Sequence, residues 1–126
     1  MNRFTRARLE TVTKNGGTYT LDYIVPNNKD LDIIELLASS NTDAIQIDLL
    51  YSDDNKSTWT NPWDSGSDRL LTVFVAAYIP VSGKPRGTWF EGDGTNVVFR
   101  LKITNHHPTN DANVFFLVKG WEKDRD

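Results

Sequence analysis

The chain has no cysteine, one methionine and five prolines in 126 residues. Without cysteine there is no disulfide framework and no thiolate to serve as nucleophile or zinc ligand, and the redox compartment stays undecided. Long hydrophobic runs are missing too. The longest apolar stretch, residues 73–79, is far too short to cross a bilayer. The opening MNRFTRARLE has no apolar core of the kind a signal peptide needs, so the sequence predicts synthesis in a cytosol. A basic surplus is also lacking: 14 Lys and Arg stand against 17 Asp and Glu, for a net charge of -3. Because the basic residues are dispersed, the electrostatic footprint of a nucleic-acid binder is absent. Neither nucleic acid nor a membrane is an expected partner.

What the chain does have is hydrophobic alternation of period two, the mark of strands with one buried face. In residues 18–25, Tyr19, Leu21, Tyr23 and Val25 share a face; in residues 44–51, Ile45, Ile47, Leu49 and Tyr51 do the same. In residues 97–104, Val97, Phe99, Leu101 and Ile103 oppose Arg100, Lys102 and Thr104. Residues 70–79 and 114–118 are apolar on successive positions, so they sit centrally or turn an apolar face to a partner. A first strand is expected around residues 6–13, joined to the second by the hairpin signal Asn15-Gly16-Gly17. Residues 31–39 read as strand ahead of a two-turn helix capped by Asp30. The two best strands, 94–104 and 112–121, are expected to pair. About seven or eight strands in one domain of 126 residues make an all-β, antiparallel β-sandwich. A chain of this length buries about two-thirds of its unfolded surface and needs no metal to hold it. Residues 1–8 are expected as an extended arm or a frayed end, and residues 122–126 as a charged tail.

The loops at 52–69 and 80–94 are long, polar and rich in Gly and Pro, yet both carry tryptophan. Trp59, Trp63 and Trp89, with Phe90 beside the last, either plug an open end of the sandwich or form a platform for a protein or a sugar. With Arg3 and Arg6 of the arm they are the candidate partner-contact residues. Residues 91–96 (EGDGTN) space oxygen ligands as a calcium loop would, and Asp53-Asp54-Asn55 is a second acidic cluster. Neither continues to the full calcium-binding pattern, so both read as acidic turns and no metal or cofactor is expected. His106 and His107, the only histidines, would point to opposite sides of an extended chain and have no third ligand type nearby. No serine lies in a nucleophile elbow, and no carboxylate pair is fixed across a cleft, so no catalytic residue is assigned.

The run VVFRLKITNHHPTNDANVFFLVKGWE resembles the last two strands of small jelly-roll proteins of tailed-phage particles. The matching positions are Thr104 and Asn105 before a polar loop, then Gly120, Trp121 and Glu122 at the end of the closing strand. The stretches Tyr19-Thr20-Leu21 and Val25-Pro26 are similar in style. The resemblance implies a jelly roll, no enzymatic activity, and a virion role as a capsid decoration (cement) protein. It also implies capsid or tail proteins as partners and assembly with copies of itself, a trimer first. A carbohydrate-binding or receptor-binding module of a phage tail is the alternative, with Asn61, Asp64 or Arg86 fixing sugar hydroxyls.

Overall fold

Alternating side chains become two stacked antiparallel sheets. The computed structural model describes residues 1–59, 69–85 and 89–125. Among these, nine strands and no helix are found: β1 (Asn2–Val12), β2 (Gly17–Ile24), β3 (Lys29–Ser40), β4 (Ile45–Ser52), β5 (Arg69–Val75), β6 (Val81–Gly83), β7 (Phe90–Glu91), β8 (Val98–Asn105) and β9 (Ala112–Asp124). One sheet runs β1-β9-β3-β6, with β7 also on β3; the other runs β2-β8-β4-β5. All strand pairs are antiparallel. Apart from the β4–β5 hairpin and the β6–β7 edge, every connection crosses from one sheet to the other, which is the double Greek key of a jelly roll.

The predicted alternation places the core. Ile45, Ile47 and Leu49 of β4 meet Leu101 and Ile103 of β8 within their sheet. Facing them are Leu31, Ile33 and Leu36 of β3 and Val114, Phe116 and Val118 of β9, all with almost no exposure. Each such side chain contributes about 1.5–3 kcal/mol by leaving water. Residues 31–39 are strand, as the sequence favoured. The count exceeds seven or eight because the edge beside β3 is broken into β6 and β7, which pair with β3 at Leu36–Ala38 and Asp30–Leu31.

Pairing departs from expectation at two places. The two best strands are not partners: β8 and β9 lie in opposite sheets, and the loop between them crosses the sandwich. Asn105, fully buried, fastens that crossing. Its Nδ2 donates to the carbonyls of Val12 and Asn110 at 3.0 Å each, and its Oδ1 accepts from the His107 amide at 2.9 Å. Similarly, β1 and β2 form no hairpin. Asn15 and Gly16 do take positive φ, 60° and 86°, as the turn signal required. Their amides, however, donate to His107 O and Asn105 O at 2.8 and 2.7 Å, so the turn crosses between sheets beside the other crossover.

Residues 1–8 are not a loose arm. From Asn2 to Val12 the chain pairs with β9 in unbroken register, Asn2 with Glu122 through Val12 with Ala112, because β9 is long enough to hold both β1 and β3. The charged tail is likewise structured. Glu122–Asp124 complete β9, and Arg125 is anchored by its amide to Asn28 O and by its guanidinium to Gly92 O, both at 2.8 Å.

Candidate functional site

The two outer faces of the sandwich are chemically unlike, and that contrast locates the candidate site. On the β2-β8-β4-β5 sheet the outward polar side chains pair with one another, and the exposed apolar residues there, Phe74 on β5 and Ile24 on β2, lie on strands at opposite edges. Arg100 holds Asp22 through two hydrogen bonds, Nε to Oδ1 at 2.6 Å and Nη2 to Oδ2 at 2.8 Å. The guanidinium hydrogen bonds hold the Asp22 carboxyl below the usual carboxylate range. Farther along, Thr72 Oγ1 donates to Asp48 at 2.7 Å, Gln46 Nε2 donates to both Asp48 oxygens, and Gln46 Oε1 meets His106 Nε2 at 2.9 Å. Asp48 is thereby buried, although alternation alone had placed it on a wet face.

Two tryptophans of the long loops, Trp59 and Trp89, belong to such arrangements. Arg100 Cζ lies 4.4 Å from the Trp59 ring centroid, and Lys123 Nζ lies 4.2 Å from that of Trp89. Both rings are half-buried under a cation and are not an open platform. Phe90, expected among the partner contacts, is instead a core residue at 6 % exposure, stacked on Tyr51 with centroids 4.5 Å apart. Trp63, together with Asn61, Asp64 and Arg86, lies outside the described residues. Arg6 is half-buried over the rings of Phe4 (4.5 Å) and Tyr23 (4.9 Å), so it packs internally. Arg3 stays exposed, 6.0 Å from the Trp121 ring.

The acidic turns fold in on themselves. Asp93 Oδ1 accepts from the amides of Thr95, Asn96 and Val97 at 2.9, 2.7 and 3.2 Å, and its Oδ2 takes Asn96 Nδ2 at 3.0 Å. These donors lower its pKa to about 2. Asp54 is held at about 2 in the same manner by Thr58 and Ser52. His107 Nδ1 accepts from the amides of Thr109 (3.2 Å) and Asn110 (3.1 Å), capping its own loop. Asp54, Asp93 and His107 thus already have partners within their own loops.

The outer face of the other sheet is different. Leu9 of β1 and Phe115 of β9 are register partners, pointing outward at 69 % and 41 % exposure. They border a depression of about 350 Å³ that also touches Ser39, Tyr78, Pro80 and Asn113 and has no charged residue in its lining. Tyr78, 80 % exposed, holds φ at 59°, a costly conformation for a bulky residue. The bend is enforced by its neighbours: Tyr78 N donates to Ser40 O at 2.8 Å, and Ala77 N to Asp43 Oδ1 at 2.6 Å. Ile79 follows at 59 % exposure. Toward the other end of the same face, Arg3, Ile34, Lys119 and Trp121 flank a groove of about 200 Å³. Sequence reasoning missed this face because Leu9, Tyr78 and Phe115 come from three separate segments. The one available signal was the doubly apolar character of residues 114–118 and 70–79.

No protein-family model matches this chain, and no curated protein matches it. Among solved structures it is similar to the CBM36-1 domain of a multidomain xylanase from the hindgut metagenome of Trinervitermes trinervoides. That alignment covers 95 % of this chain and 98 % of the other, at 15 % identity and a TM-score of 0.51. Structures of infectious bursal disease virus, Gx and Gt strains, align over 94 % and 95 % of this chain at 10 % and 9 % identity, with TM-scores of 0.43 and 0.44. This chain spans about a third of those viral chains, 32 % and 31 %. The first likeness, at such identity, is one of fold: a jelly-roll β-sandwich.

Proposed function

We propose that this chain is a non-enzymatic structural protein of a phage particle, of the capsid decoration (cement) type, that binds neighbouring protein subunits through the outer face of the β1-β9-β3-β6 sheet. The observation that carries the reading is the group of exposed Leu9, Phe115 and Tyr78 around a depression whose lining holds no charged residue. Exposed apolar side chains gathered on one face, beside a strained and solvent-thrust tyrosine, suit burial against protein. The saturated carboxylates and the loop-capping His107 support a role without chemistry. A subunit that binds only the assembled lattice stabilises it by mass action. Adding the purified protein to particles that lack it should give co-sedimentation and a higher temperature of particle disruption. Protein that stays in the supernatant would refute the reading.

The second reading is a carbohydrate-binding or receptor-binding module of a phage tail. Its supporting observation is the groove where Trp121 lies beside the donors Arg3 and Lys119. Quenching of tryptophan fluorescence by simple sugars, lost in Trp121→Ala, would favour it over the first.

A further inference from the structure

The outer edge of β1 is a second feature: its backbone donors and acceptors take no part in the docking face, although the Leu9 side chain belongs to that face. β1 is the terminal strand of its sheet, runs unbroken from Asn2 to Val12 and contains no proline. Among the described residues nothing pairs with that edge. Long regular edges are templates for further strand pairing unless something guards them. Here the inward-pointing positions carry Arg6, Arg8 and Glu10, of which Arg8 is exposed. A guard of one sign would repel any copy of itself, but this one has both signs.

We propose that β1 pairs with β1 of a second copy of this chain, antiparallel about a two-fold axis through Leu9. Charge selects that register. Pairing centred on Ala7 sets Arg6 against Arg8 twice; pairing centred on Arg8 sets that residue against itself and opposes Glu10 only to Arg6, which is already packed on the rings of Phe4 and Tyr23. Centring on Glu10 opposes two carboxylates. Centring on Leu9 places Arg8 opposite Glu10 of the second copy, twice by symmetry, and opposes no like charges. Directly opposite side chains in antiparallel strands are close enough for ion pairs to favour the match. On the outward side Leu9 covers its symmetry mate, Ala7 meets Thr11, and the two Leu9–Phe115 patches become one continuous apolar surface. The interface is isologous and closes on itself.

The absence of native cysteine makes the test clean. Opposed residues of antiparallel strands have Cα atoms about 4.5 or 5.5 Å apart, both within disulfide range. Leu9→Cys should therefore form a covalent dimer under mild oxidation. Thr5→Cys should stay uncrosslinked, since the axis leaves its symmetry mate about 27 Å away. In sedimentation, Arg8→Glu or Glu10→Arg alone should weaken the dimer about tenfold or more, and the double exchange should restore it. Phe115→Asp, which disables the docking face, should leave the Leu9→Cys crosslink in place, so the two proposals fail separately. A monomer or a trimer across the dilution series, crosslinking at Thr5 in place of Leu9, or a double exchange no better than the single ones would each overturn the inference.

Discussion

Asp22 and Arg100 face each other across β2 and β8, joined by two hydrogen bonds, while the free side of the guanidinium lies under Trp59. The three residues form a half-buried stack that ties a long loop to the sheet. Arg100→Met should lower folding stability by about 1–2 kcal/mol, because it removes both guanidinium hydrogen bonds and leaves the Asp22 carboxylate only Lys56, at 3.5 Å. Trp59→Ala should cost about 0.5–1 kcal/mol. Urea denaturation of both variants and of the Arg100→Met/Trp59→Ala double variant would show the coupling between them.

Asn105 holds the crossing between β8 and β9 with three hydrogen bonds and no exposure. Asn105→Ala takes this partner from the buried Val12 carbonyl and from the part-buried Asn110 carbonyl and His107 amide. The expected loss is about 2–3 kcal/mol, read as a shift in the denaturant midpoint without change in slope.

Acid should unfasten the loops before the core. The folded pKa values of Asp54 and Asp93 are depressed from 3.8 to about 2, so their contribution is fully present above 3.8 and is lost as pH falls through about 2. Asp93→Asn keeps an accepting oxygen for the turn but removes the charge. Its melting temperature should fall less steeply than that of the wild type between those two values, as followed by circular dichroism.

Gly120 marks where β9 passes the irregularity between Ile33 and Glu35 of β3. A Cβ there would stand 2.1 Å from the Asp32 carbonyl oxygen, which is backbone and cannot rotate away. Gly120→Ala should cost about 1–3 kcal/mol in thermal or chemical denaturation, although alanine is among the smallest possible additions.

Much of the fold was legible because burial on one face leaves a local, period-two record. Ile45, Ile47 and Leu49, or Phe99, Leu101 and Ile103, announce their strands without help from elsewhere. Pairing leaves no such record. The Asn15-Gly16 turn shows its positive φ values in sequence, but whether it closes a hairpin or crosses between sheets depends on His107 and Asn105 far along the chain. The candidate site was harder still. The accessibility of Trp59 and Trp89 is set by Arg100 and Lys123, and that of Leu9 by its place at a sheet edge. Phe90 sits in a polar loop by sequence and in the core by structure, since β7 pairs with β3 and turns the ring inward onto Tyr51.

The proposed docking runs through the outer face of the β1-β9-β3-β6 sheet and not through Trp59 or Trp89. The most direct measurement is the affinity of Phe115→Asp and Trp59→Ala for particles lacking the protein, compared at matched folded fractions. Phe115→Asp is expected to bind at least about tenfold more weakly, with Trp59→Ala within about twofold of the wild type. The reverse order, or full binding by Phe115→Asp, would contradict it.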